Sequence, residues 1–123
     1  MNTLAEEVGH FLPLPVLDVH TDPNGMHVAG GHWRLRVNTA WQLGGTPNRD
    51  GLDDLVGDVV VSVEFPAGPM GLDIRLITRA GAVLEVDSEL GYAEWLLSIW
   101  SPDDPRKIPI FDLEGPVDED SLR

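Results

Sequence analysis

The sequence predicts a mainly β protein with α+β character: an antiparallel β-meander sheet or partly open barrel built from two similar four-strand halves, with a short N-terminal helix and an extended C-terminal tail. Three observations carry that prediction. Apolar and polar residues alternate through most of the chain, as in His32-Trp33-Arg34-Leu35-Arg36-Val37, which is the period of a half-buried strand. Gly, Pro, Asn and Asp collect between these runs, where turns need them. The same order of strand, loop, strand, turn, strand, gap and Trp-x-Leu strand occurs from Val16 to Leu43 and again from Val59 to Leu97.

The N-terminal Thr3-Leu4-Ala5-Glu6 has the form of a capping box, and Leu4, Val8, Phe11 and Leu12 follow at helical spacing. A helix over about residues 4 to 11 is expected, ended by Pro13 and Pro15, which lack a backbone N–H. A strand from Val16 to His20 and another from Met26 to Ala29 flank the turn-forming Thr21 to Gly25. In the next strand Trp33, Leu35 and Val37 face inward with Arg34 and Arg36 outward, and Trp41-Gln42-Leu43 completes the half.

Gly44 to Gly51 is the strongest internal break, and Asp50 is placed to cap a helical turn through Leu52 to Val56. Val59, Val61, Val63 and Phe65 then form one strand face, with Pro66 to Pro69 closing it. In the following hairpin a three-residue loop, Arg79-Ala80-Gly81, sets Leu76 opposite Leu84, Ile74 opposite Val86 and Arg75 opposite Glu85. A two-residue turn would put Leu76 against Glu85, so the pattern selects the longer loop, with Gly81 in the left-handed conformation. The last strand of the domain runs from about Ala93 to Trp100.

The expected organisation is one β-rich domain over residues 1 to 100, with halves at about 16 to 45 and 57 to 100, followed by an acidic, proline-containing tail over 101 to 123. Within that tail Ile108, Ile110, Phe111 and Leu113 form an apolar patch suited to docking as an edge strand, and Asp118-Glu119-Asp120 is expected as a solvated terminus.

Charge bounds the partners. Against 21 acidic residues stand 8 basic ones, a formal net charge of -13. Such a surface disfavours nucleic acid, which needs clustered Lys and Arg, and favours a basic protein partner. With no cysteines there is neither a disulfide framework nor a thiolate site. The acidic segment Met1 to Glu7 lacks a signal peptide's basic and apolar regions, and no stretch approaches membrane-spanning length. A cytoplasmic location without membrane contact is expected.

Chemistry-bearing residues are sparse in pattern. His20, His27 and Asp18 are the candidates for a metal site or a catalytic pocket between the halves, because pairing around the Thr21 to Gly25 loop brings the two histidines together. No short-range ligand motif supports them, and neither metal nor cofactor is expected. The segment Thr46 to Asp54 has the look of a calcium loop, but Gly57 stands where a bidentate Glu is required. No serine has the Gly-x-Ser-x-Gly setting of a nucleophile elbow. The carboxylates Glu85, Asp87, Glu89 and Glu94 cluster around the second Trp-x-Leu gap. They read either as an acid/base pair or, more simply, as the charged edge of a sheet. Trp33, Trp41 and Trp95 take inward parity, whereas Trp100 has the opposite parity and belongs at a surface.

The run Leu55 to Val63, the Gly81 turn, Leu84-Glu85-Val86 and Glu94-Trp95-x-Leu97 resemble a group of uncharacterised small bacterial domains, some similar to the immunity proteins that neutralise polymorphic toxins. The resemblance covers roughly residues 52 to 100 and carries over no catalytic residue. It implies a non-enzymatic immunity or inhibitor protein whose basic partner would be a toxin. The expected binding residues are Glu85, Asp87, Glu89, Glu94 and Trp100. The alternatives are a small ligand-binding domain or hydrolase with a pocket between the halves, and a self-associating accessory subunit, for instance a homodimer.

Overall fold

The computed structural model describes residues 3–23, 25–45, 49–91 and 93–118. Thr3 caps α1 (Leu4–Gly9), its hydroxyl accepting from the Glu6 N–H at 3.1 Å, and Val8 is the residue the helix buries. Strands follow as β1 (Leu14–Pro15), β2 (Asp18–Asp22), β3 (Gly25–Ala29), β4 (Trp33–Val37) and β5 (Ala40–Leu43). After α2 (Arg49–Leu52) and a 3-10 turn (Asp53–Leu55) come β6 (Val59–Glu64), β7 (Ala67–Gly68), β8 (Gly71–Leu72) and β9 (Arg75–Thr78). The chain ends with β10 (Val83–Asp87), β11 (Trp95–Trp100) and β12 (Pro109–Gly115). Asp50 does not precede a helical turn over Leu52 to Val56 as expected: the helix begins earlier, at Arg49, so Asp50 lies within α2, and Leu52 stands at the N-cap of the 3-10 turn without a side-chain cap bond. Thr46-Pro47-Asn48 and the terminus beyond Asp118 lie outside the described residues.

The protein is mainly β and antiparallel, in two five-stranded sheets. Sheet A has the order β1-β6-β9-β10-β5, sheet B the order β12-β11-β4-β3-β2, and β7-β8 form a small separate hairpin. Their inner faces share one hydrophobic core, to which Trp33, Leu35, Leu97 and Ile99 contribute from sheet B and Leu14, Val60, Leu76 and Leu84 from sheet A. The Trp33 indole N–H crosses between them to the Pro15 carbonyl at 2.8 Å.

The two halves do not stay apart. Each sends its Trp-x-Leu strand into the other's sheet: β5 pairs with β10, and β11 pairs with β4. The registers are equivalent under this exchange. Leu35 faces Leu97 and Val37 faces Trp95 in sheet B, while Leu84 faces Leu43 and Val86 faces Trp41 in sheet A.

The hairpin from β9 to β10 has the register expected from its pattern: Leu76 is opposite Leu84, Arg75 opposite Glu85, and Thr78 N bonds to Ala82 O at 2.9 Å. Gly81 takes φ of 92°, the left-handed region that a side chain disfavours. Strand β6 departs from strict alternation. Its pairing with β9 shifts between Val60 and Ser62, so Val60 and Val63 are buried while Val61 is 40% exposed. A bulge adds one residue and reverses the face of those before it. The inward set is therefore Val60 and Val63, not Val59, Val61 and Val63.

The segment after Trp100 supplies β12 as an edge strand of sheet B. Beyond it Val117 is buried and exchanges two hydrogen bonds with Leu72 of β8, each 2.8 Å. Residues 109–117 thus belong to the folded unit. Gly115 is required where β12 passes Trp95, since a Cβ there would lie 1.8 Å from the indole Cε2.

Candidate functional site

Where β9 and β10 reach the β7 arm, a cleft of about 360 Å³ opens among Pro66, Gly68, Asp73, Arg75, Glu85 and Asp87. Alternation along β10 sends Leu84 and Val86 into the core, with Glu85 and Asp87 on the opposite face. Arg75 sits between two carboxylates, donating from Nη1 to Glu64 Oε1 at 3.0 Å and holding Nε 3.2 Å from Glu85 Oε1. The Nε–H is not aligned on that oxygen, so the second contact is an ion pair without a formed hydrogen bond.

Asp73 forms the floor and is buried. Its carboxylate accepts from the Ser88 N–H at 3.1 Å, from the Ser88 hydroxyl, and from the Trp95 indole N–H at 3.2 Å. These bonds tie the start of β9 to the end of β10 and to β11, making Asp73 the anchor of the cleft. Among the described residues, no hydrogen bond or ion pair engages the Asp87 carboxylate. Burial, then the charges of Glu85 and Asp73, push its carboxyl above its ordinary range.

Glu94 has a different place from its sequence neighbours. It is only 3% exposed and accepts backbone N–H bonds from Glu89, Leu90 (2.9 Å) and Gly91 (2.8 Å), together with the Thr39 hydroxyl (3.0 Å). Burial raises its pKa, but these donors outweigh burial and hold the carboxyl below its ordinary value. Glu94 fixes the loop after β10 and offers nothing to an external partner. Glu89 is exposed on that loop. Trp100 is half-buried on the outer face of sheet B, away from the strands that build the cleft. Of the five expected binding residues, Glu85 and Asp87 come together in the cleft, and Glu89 lies on the adjoining loop.

His20 and His27 do meet, with ring centroids 5.4 Å apart, and His27 Nε2 is 3.2 Å from Asp18 Oδ2. They stand on the outer face of sheet B, where β2 and β3 pair. They therefore do not line a pocket between the halves. Among the described residues, no group of three or more His, Asp or Glu side chains is arranged to hold a metal ion. A second hollow of about 350 Å³, mostly apolar, lies among Leu43, Leu55, Asp58 and Val83.

Sequence reasoning missed Asp73 and the capping role of Glu94. The signal available for Glu94 was position: it follows a Ser-Glu-Leu-Gly loop, whose consecutive N–H groups need an acceptor, and immediately precedes an inward tryptophan.

No family model, curated protein or solved structure matches the chain. Among the described residues, no helix is long and apolar enough to cross a membrane.

Proposed function

We propose that the protein is a non-enzymatic binding module that engages a basic protein partner through the cleft of Glu85, Asp87 and the adjoining Glu89, acting in the cytoplasm as an immunity or inhibitor protein does. The observation that carries this reading is the charge imbalance of the cleft. Three carboxylates, Asp73, Glu85 and Asp87, converge on it, and among the described residues the one cation lining it, Arg75, is already held between Glu64 and Glu85. Burial first, and then repulsion from Glu85 and Asp73, raise the Asp87 pKa, and a Lys or Arg side chain from a partner relieves that repulsion. The net charge of -13 draws such a partner in over a longer range.

Binding of an arginine-rich peptide, followed by fluorescence anisotropy at two salt concentrations, tests the assignment. Wild type binds more weakly as salt rises, and Asp87→Asn with Glu89→Gln weakens binding by roughly tenfold. The sign of the Asp87 shift separates binding from folding. A carboxyl whose folded pKa is raised penalises the folded state above that pKa, so Asp87→Asn leaves Tm equal or higher. Binding unchanged by the double substitution, or salt-independent, refutes the proposal.

A further inference from the structure

The outer face of sheet B carries a second charge pattern, independent of the cleft. Register places its outward residues in two transverse rows. One runs His20, His27, Arg36, Leu96, Glu114; the other runs Asp18, Ala29, Arg34, Ser98, Asp112. Arg34 and Arg36 are exposed on β4, and neither makes an ion pair with any described residue. Two strands away, Asp112 and Glu114 are exposed on β12, where Asp112 accepts the Ser98 hydroxyl at 2.7 Å. Between the two rails runs β11, presenting half-buried Leu96 and Trp100. In a protein with so few basic residues, two adjacent arginines facing two carboxylates across a strip of Leu96, Ser98 and Trp100 form a dipolar surface.

That surface is complementary to itself in one orientation. A two-fold axis along β11 carries β4 of one copy onto β12 of the other. Arg36 then faces Glu114 of the second copy, Arg34 faces its Asp112, and Leu96 and Trp100 meet their own counterparts at the axis. An axis across the strands would set arginine on arginine. Neighbouring strands are about 4.8 Å apart, which puts the rails roughly 10 Å from each other, and stacked sheets sit about 10 Å apart, within reach of an extended arginine. We propose that this face is an isologous self-association surface whose occupant is a second copy of the chain. The sheet face measures only about 25 by 17 Å from those spacings, so the dimer is weak and forms at high protein concentration. At about 0.15 M salt the Debye length is about 8 Å; repulsion between the two acidic bodies is then screened while the facing rails still attract.

The test is sedimentation equilibrium or light scattering of the full chain up to several hundred micromolar. Wild type shows a concentration-dependent monomer–dimer equilibrium. Arg34→Glu/Arg36→Glu makes both rails acidic and Asp112→Lys/Glu114→Lys makes both basic, so each variant alone is monomeric. Their equimolar mixture forms a heterodimer at least as readily as wild type dimerises. The milder single substitutions Arg36→Glu and Glu114→Lys keep the Ser98–Asp112 bond and repeat the comparison should a double variant fold poorly. A wild type that stays monomeric throughout, variants that dimerise like wild type, or a mixture that stays monomeric overturns the proposal.

Discussion

Replacing Glu94 by Gln isolates what one buried carboxylate contributes. Wild-type Glu94 accepts four hydrogen bonds, three on Oε1 from Glu89 N, Leu90 N and the Thr39 hydroxyl, and one on Oε2 from Gly91 N. Glutamine can place its carbonyl where Oε1 stands, but its amide then turns an N–H toward the Gly91 N–H. One buried donor loses its acceptor, and three charge-assisted bonds become neutral ones. The expected cost is about 2–4 kcal/mol. For a domain of this size that lowers Tm by roughly 6–16 °C. The pH dependence is diagnostic. A carboxyl whose folded pKa is depressed stabilises fully above its unfolded value, near 4.5, and the contribution disappears as pH falls through the lower folded value. Denaturant melts of both proteins should therefore show a gap that is constant from neutral pH down to about 5 and narrows on further acidification. A gap that is absent at neutral pH, or that persists unchanged below pH 3, would refute the assignment of Glu94 as an ionised loop anchor.

Two further perturbations address the fold. Gly115→Ala brings a methyl to 1.8 Å from the Trp95 indole, which neither β12 nor the buried ring can accommodate in place. Destabilisation of about 3 kcal/mol or more is expected in denaturant titration, with loss of near-ultraviolet Trp dichroism, and a neutral effect would mean that β12 does not pass Trp95 as described. The absence of native cysteines allows the strand exchange to be tested by cross-linking. Arg36→Cys with Leu96→Cys, and separately Gln42→Cys with Glu85→Cys, join directly paired positions of the two halves and should each oxidise to an intramolecular disulfide visible by mass spectrometry. Failure of both pairs to close would count against the exchanged topology.

Where parity and polarity agree, the sequence contains the register. In the β9–β10 hairpin only one loop length puts Leu76 on Leu84 while leaving Arg75 on Glu85, and the structure has that register. In β6 the information is missing, because Val59, Val60, Val61 and Val63 are chemically alike and no polar residue before Ser62 marks an outward face. The bulge at Val61 is consequently invisible. Partner choice among strands is hidden for another reason. Trp41 and Leu43 present the same inward parity whether β5 lies beside β4 or beside β10, and only packing between distant parts of the chain decides. The site was legible in part. Asp87 follows from alternation, whereas the burial of Asp73 and Glu94 depends on donors from residues as far off as Trp95 and Thr39.

The exchange also explains how the sequence echo and the charge asymmetry fit together. Superposing Leu35 and Val37 on Leu84 and Val86 makes Arg36 the counterpart of Glu85, and the inward pairs Leu35–Leu97 and Val37–Trp95 the counterparts of Leu84–Leu43 and Val86–Trp41. Inward positions are constrained by the shared core, in which a change of shape on one strand is felt by strands of both halves. Outward positions carry no such constraint. At the equivalent point of the two sheets one half therefore presents an exposed arginine, without an ion pair among the described residues, on an open face, and the other a glutamate held by Arg75 at the mouth of a cleft. One packing solution, used twice with its last strands exchanged, thus supports two outer surfaces of different charge, and a charge reversal on one leaves the core pairs beneath the other in place.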